Sequence, residues 1–132
     1  MICLDSDVIV DILRNHPEAV QKYDATKSAV LATTIINLYE LLSGVWCVKD
    51  KNYQRALDVL NKFLENIEIL PLDEISVEKA AKLYGGLSQN GRIIDDLDIL
   101  IAAICISNNC ESLITRNIKD FSRIKGLKVE TY

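Results

Sequence analysis

Acidic residues stand in four places of this chain where hydrophobic burial alone would not put them. Asp5 and Asp7 lie in Leu4-Asp5-Ser6-Asp7, and Glu40 sits inside an apolar helical pattern. Asp95, Asp96 and Asp98 precede Ile99-Leu100-Ile101-Ala102-Ala103, and Asp120 ends the polar part of Thr115-Arg116-Asn117-Ile118-Lys119-Asp120-Phe121. Carboxylates gathered at the mouths of buried elements repel one another and lose hydration. A hard divalent cation, which prefers carboxylate oxygens, offsets that cost. A cation held in this way can activate water against a phosphodiester. The pattern points to a small metal-dependent nuclease.

Each position also has a plainer explanation. Capping and favourable charge at a helix N-terminus account for one of Asp5 and Asp7, since one cap needs one side chain. Asp5 is the stronger ligand candidate, while Asp7 and Asp11 lie four apart and can share a helix face. Glu40 is surrounded by Ile35, Ile36, Leu38, Tyr39, Leu41 and Leu42. Thr33, Asn37, Glu40 and Gly44, spaced by four, three and four residues, draw one narrow polar stripe down this helix. A solvent-facing stripe usually carries Lys and more Glu, so this one is expected to line a cleft, with Thr33 and Asn37 meeting substrate. Among Asp95, Asp96 and Asp98, dipole and cap explain one or two; Asp96 can be the cap and Asp98 the ligand. Asn117 and Asp120 can be metal ligands, water anchors or turn formers, and Arg116 beside them is a candidate substrate contact.

The elements that would position these groups follow from the pattern. Met1 to Leu4 reads as a short buried strand, after which Ser6 or Asp7 caps a helix to about Arg14. Pro17 starts a helix to about Ala25, and Ala29 to Ala32 is a second strand. Thr33 or Thr34 caps a helix reaching about Val48. Tyr53 to Asn66 is amphipathic, with Ala56, Val59, Leu60, Phe63 and Leu64 on one face. Ile67 to Leu70 is a third strand, stopped by Pro71; Ser76 caps a helix from Val77 to Ser88, which Asn90-Gly91 ends. Asp95 or Asp96 caps a helix to about Ser107, apolar all round from Ile99 to Ile106 and so central and buried. Ser112 to Thr115 and Leu127 to Glu130 are the last strands, with a turn after Thr115.

Short apolar strands alternating with helices imply a three-layer α/β/α sandwich around a parallel sheet of four to five strands. Ligands of such sheets bind beyond the carboxyl ends of the strands. Asp5, Thr33, Arg116 and Asn117 all follow strands, which brings them to one rim.

Length and composition set bounds. The 132 residues suit one domain spanning the chain, with no linker, repeat or low-complexity segment. The longest apolar run is too short for a membrane span and the N-terminus lacks signal-peptide features, which favours the cytoplasm. A net charge of −4 is unusual for a protein gripping long stretches of phosphate backbone, although bound cations can supply local positive charge. Arg116, Lys119, Arg123, Lys125 and Lys128 make the tail basic, either a solvated edge or a substrate rim. Cys3, Cys47 and Cys105 read as small core residues, and a Cys105–Cys110 disulfide stays open. With one histidine and no CxxC pair, a zinc site is not expected. Val45, Trp46, Val48 and Tyr53 either complete the core or form a homodimer surface.

Taken in order, the motifs resemble the PIN domain and, within it, the VapC-type toxins of toxin–antitoxin pairs. Leu4-Asp5-Ser6-Asp7-Val8-Ile9-Val10-Asp11 is similar to the family's opening strand and acidic turn. Thr33 to Leu41 is similar to the second motif, Asp98 to Ala103 to the third, and Thr115 to Phe121 with Ile124 to Glu130 to the usual ending. The resemblance covers essentially the whole chain. It implies a Mg2+- or Mn2+-dependent ribonuclease, often dimeric and held inactive by a cognate antitoxin. Asp5, Glu40 and Asp98 match the family's acidic positions. Ser6-Asp7 stands where Thr-Asn or Thr-Ser is common, and Asn117 where many relatives carry Asp, so the fourth ligand is Asn117 or Asp120. Two alternatives compete: a catalytically weak PIN-like domain that binds RNA or a partner, and a phosphatase resembling the haloacid-dehalogenase type, with Asp5-Ser6-Asp7 as its nucleophile motif. The second lacks the Gly-Thr expected after Asp7.

Overall fold

A computed structural model describes residues 1–49 and 52–132. The strands are β1 (Ile2–Leu4), β2 (Leu31–Thr34), β3 (Glu68–Leu70), β4 (Ser112–Ile114) and β5 (Val129–Glu130). The helices are α1 (Ser6–Leu13), α2 (Pro17–Thr26), α3 (Ile35–Trp46), α4 (Tyr53–Leu64), α5 (Glu74–Gln89), α6 (Asp96–Ser107) and α7 (Ile118–Phe121). The sheet is parallel throughout, in the order β3-β2-β1-β4-β5. This is the expected α/β/α sandwich.

Alternation along the strands builds the two outer layers. Leu4 and Ile114 point into a core shared with Val8, Ile9 and Ile12 of α1, Leu41 and Val45 of α3 and Leu60 of α4. Cys3 and Leu113 point the other way, into a core shared with Ala80 and Leu87 of α5 and the apolar side chains of α6. Ile99, Ile101, Ala102, Ala103, Ile104 and Cys105 are all buried, so α6 is the central helix its sequence implied. β1 pairs with β2 on one side and β4 on the other, in register Cys3 with Ala32 and with Leu113. The connections run outward in opposite directions from β1, which opens a crevice at the carboxyl ends of β1 and β4.

Several expectations are corrected. β2 lies two residues later than Ala29 to Ala32, because Thr33 and Thr34 extend it and pair with Ile69 and Leu70. Their hydroxyls find internal acceptors, which lets both be buried in a strand. Asp5, rather than Ser6 or Asp7, caps α1. Asp73 caps α5, and Ser76 is the third helical residue of a reciprocal capping box. Asp95, not Asp96, caps α6 through the Leu97 N–H at 2.9 Å. Residues 118–121 form a short helix, absent from the expected elements, after the chain bends at Arg116 as expected. Cys47 is exposed past the end of α3, and Val59 of α4 is also exposed, whereas both were assigned inward positions. Val45 is buried and belongs to the core, while Trp46 is exposed and packs on Tyr53 with ring centroids 4.9 Å apart. All four cysteines are free. Among the described residues, no helix is long and apolar enough to cross a membrane.

Candidate active site

Asp5 leaves β1 at the crevice and becomes the N-cap of α1. It is only 7% exposed, yet both carboxylate oxygens are satisfied. Oδ1 accepts from the Ser6 N–H at 2.9 Å and from Asn37 Nδ2 at 2.8 Å, and Oδ2 accepts from Thr115 Oγ1 at 2.6 Å. One carboxylate thereby ties together β1, α3 and the end of β4. Burial raises its pKa against these donors, which favour the ionised form.

Asn37 organises the neighbouring groups. Its Oδ1 accepts from the Thr34 N–H and hydroxyl, completing a capping box at the start of α3. Its Nδ2 points toward three acceptors: Asp5, Ser6 Oγ at 3.0 Å and Glu40 Oε1 at 3.3 Å. Ser6 Oγ donates to the same Glu40 oxygen at 2.5 Å. The expected stripe therefore divides by depth. Thr33 and Asn37 are fully buried, and Thr33 donates to the Leu4 carbonyl at 2.8 Å. Enclosed in this way, neither is open to a substrate as expected; Thr33 ties β2 to β1, and Asn37 holds Asp5 and Glu40. Glu40 remains at the cleft with its pKa raised, by burial first and then by Asp5 and Asp95.

Asp98 stands in the first turn of α6, where Asn117 Nδ2 donates to its Oδ2 at 3.1 Å. The same amide lies 3.2 Å from Asp120 Oδ2, so Asn117 bridges two carboxylates. Burial, followed by repulsion from Asp5, Asp95, Glu40 and Asp120, pushes the Asp98 carboxyl up to about 7. Arg116 does not approach this group: its Nε lies 3.2 Å from Asp11 Oδ2 and 3.7 Å from Asp7 Oδ2, and its N–H donates to Asp7 Oδ2 at 3.1 Å. Tyr132 holds the same Asp11 oxygen through its hydroxyl. Asp7 is pushed up to about 6 by burial and by Asp5. Its Oδ1 is buried without a hydrogen-bond partner among the described residues.

Asp5, Glu40 and Asp98 are therefore brought to one crevice, with Asn117 and Asp120 beside Asp98. Thr115 and Ser6 belong to the same network but were not singled out. The signal for Thr115 was its place at a strand end; Ser6 gave none, because its role depends on Glu40, 34 residues away. A hard cation suits this set chemically: all the side-chain donors are oxygens, the carboxylates repel one another, and no described ion pair neutralises Asp5, Glu40 or Asp98. Among the described residues no three acidic, histidine or cysteine side chains already form a ligand cluster, so the carboxylates must turn inward to share an ion.

A groove of roughly 560 Å³ runs from Ser6, Asp7 and Glu40 between α1, α3 and α4. Beyond those polar residues its walls are mainly apolar, with Leu13, Leu41, Val45 and Val59 among them.

The family described as PIN domain matches residues 2–127. The chain belongs to the PIN domain family. A VapC relative, Ribonuclease VapC2 of Rickettsia felis, is 32% identical over 131 residues, covering 98% of this chain and 96% of the relative. The tRNA(fMet)-specific endonuclease VapC of Shigella flexneri is 24% identical over 129 residues, covering 98% and 96%. Among solved structures, VapBC2 from Rickettsia felis bound to a promoter DNA fragment superposes with a TM-score of 0.89 at 31% identity, covering 100% of this chain and 99% of that one. The VapC-type branch of the PIN fold accounts for the order of the acidic motifs and overturns the phosphatase alternative.

Proposed function

We propose that this chain is a Mg2+- or Mn2+-dependent endoribonuclease, the toxin of a type II toxin–antitoxin pair. The observation that carries the reading is the meeting of Asp5, Glu40 and Asp98 at the β1–β4 crevice, where Asp5 raises the pKa of Glu40, and both raise that of Asp98, without a neutralising side chain. Its named relatives are ribonucleases, which supports RNA as the substrate class and the cytoplasm as the place of action.

Asp5, Glu40 and Asp98 would hold the ion, with Asn117 or Asp120 at its edge. A bound hard cation supplies Lewis acidity toward phosphate oxygen and a lowered pKa for water. The chain's own contribution is orientation. Asn37 and Ser6 fix the Glu40 carboxylate, and Thr115 with the Ser6 N–H fixes Asp5, so little reorganisation is left for the reaction. Arg116, half exposed at the rim, would meet an adjacent phosphate by loosening its hold on Asp7 and Asp11. The test is cleavage of single-stranded RNA with Mg2+ or Mn2+ and with excess chelator, beside melting with and without the ion. Metal-dependent cleavage and stabilisation are expected; cleavage undiminished by chelator would refute the mechanism.

An antitoxin segment fits the groove, with an apolar face along α3 and α4 and an Arg among the carboxylates, whose paired oxygens match the guanidinium fork. The solved VapBC2 assembly supports such a partner. A co-purified partner that inhibits while leaving the acidic crevice open to metal would overturn this mode. Exposed Trp46 with Tyr53 is the remaining candidate for a homodimer surface. A monomer by light scattering at high micromolar concentration would remove it. One observation favours the second reading, a weak or purely binding domain: an amide, Asn117, lies between Asp98 and Asp120. Metal-dependent turnover of RNA separates the two.

A further inference from the structure

Three cysteines outside the acidic crevice meet at the far end of α6. The helix closes in a left-handed turn, with Asn109 at φ 53°. The Asn109 N–H donates to the Ile106 carbonyl and the Cys110 N–H to the Cys105 carbonyl, both at 3.0 Å. This pair of bonds brings the residue after the turn onto the helical residue five positions earlier, a contact usually made by two apolar side chains. Here both are thiols. Cys3 of β1 supplies a third, since Cys110 packs against the core cluster that holds both Cys3 and Cys105. Cys3 and Cys105 are fully buried, whereas Cys110 is half-buried and so is the one that solvent reaches. The neighbouring Cys105 thiol, and after it the Cys3 thiol, favours the Cys110 thiolate and lowers its pKa from the ordinary thiol value. Cys47, exposed beyond α3, has no such neighbours among the described thiols and serves as an internal reference.

We propose that Cys110 is a hydroperoxide-reactive modification site whose oxidised form is resolved by Cys105 as an intramolecular disulfide. The Cys110 thiolate attacks one peroxide oxygen; an S–O bond forms, the O–O bond breaks, and the departing oxygen leaves as water or an alcohol after taking up a proton. The Cys105 sulfur then attacks Cys110 Sγ; the S–S bond forms, the S–O bond breaks, and hydroxide leaves as water with the Cys105 proton. Two thiols lose two electrons and two protons, and one hydroperoxide is reduced. Cys105 is the resolving partner because the Cys110 N–H bond to its carbonyl already holds the two backbones together across a turn. Cys3 is held in a strand paired on both edges.

The test is thiol mapping by mass spectrometry after graded hydrogen peroxide, with and without dimedone. Cys110 is expected to react roughly tenfold faster than exposed Cys47 at neutral pH, because the thiolate is the attacking species. A Cys105–Cys110 linked peptide, two hydrogens lighter and restored by dithiothreitol, is expected in the wild type. Cys105→Ala should replace it with a dimedone adduct on Cys110. Because Cys105 is buried, Cys110→Ser is the companion variant: it should abolish the crosslink while Cys47 reacts as before. Oxidation of Cys47 ahead of Cys110, or a Cys3–Cys110 crosslink that persists in Cys105→Ala, would overturn the proposal.

Discussion

Replacing Asp98 by Asn separates active-site electrostatics from helix capping. Asp98 does not cap α6, because Asp95 does, so the variant keeps the cap. The variant's side chain can still accept from Asn117 through its oxygen. What disappears is a charge that burial and four carboxylates oppose, with the carboxyl moved from 3.8 to about 7. At about 1.4 kcal/mol per pH unit such a rise corresponds to ~4 kcal/mol as an upper bound. Asp98 is only half-buried, so solvent screening reduces this to ~1–2 kcal/mol. Loss of a favourable charge at the helix N-terminus takes back ~0.3–1 kcal/mol. The net expectation at pH 8 in chelator is a gain of ~1 kcal/mol, or roughly 4 °C in Tm. The sign follows from the raised pKa: the native carboxyl stays protonated between 3.8 and about 7 while the unfolded one ionises. Its contribution is complete below 3.8 and is lost as pH rises through about 7, so the gain should fade as pH falls below about 7 and be absent near pH 3.5. Thermal melts across pH, with and without Mn2+, measure this beside an RNA cleavage assay. The variant should not cleave and should gain less stability from the ion. A destabilised Asp98→Asn protein that cleaves normally would refute the reasoning.

Other expectations follow from the same network. Asn37→Ala leaves the buried Asp5 carboxylate short of a donor and frees Glu40, so chemical denaturation should show a loss of ~2–3 kcal/mol. A loss below ~0.5 kcal/mol would mean that water replaces the amide. Asn117→Asp exchanges the bridging donor for a third acid beside Asp98 and Asp120, and calorimetry should show Mn2+ binding tightened roughly tenfold while the metal-free protein melts lower. Unchanged affinity would place position 117 outside the ligand set. Arg116→Ala removes the cation that lowers Asp7 from a still higher pKa. Ionised Asp7 costs stability, so the loss should be ~0.5–1 kcal/mol at pH 8 and shrink below pH 5, where Asp7 is protonated; equal losses at both pH values would show that Asp7 is not the partner that matters.

The sequence by itself determined the layer architecture and the identity of the acidic motifs. Short apolar strands alternating with helical periods leave few solutions other than a covered parallel sheet, and α6 announced its burial by being apolar on every side. Asp5, Glu40 and Asp98 stood out because each interrupts an apolar pattern, a local signal that needs no fold. Depth and partnership were decided only by tertiary structure. Thr33 and Asn37 looked like cleft residues because polarity on a helical wheel does not distinguish a solvated face from a buried hydrogen-bonded one. Their acceptors, Leu4, Asp5 and Glu40, come from β1, its junction with α1, and α3 folded together. Arg116 looked free to meet substrate, and the packing of α1 beside β4 gave it Asp7 and Asp11 instead. Cys105 and Cys110 were near in sequence, but their contact required a left-handed Asn109, and Cys3 joined them only through the pairing of β1 with β4. A residue's chemistry is written in its type; its ionisation and accessibility depend on neighbours that sequence distance does not report.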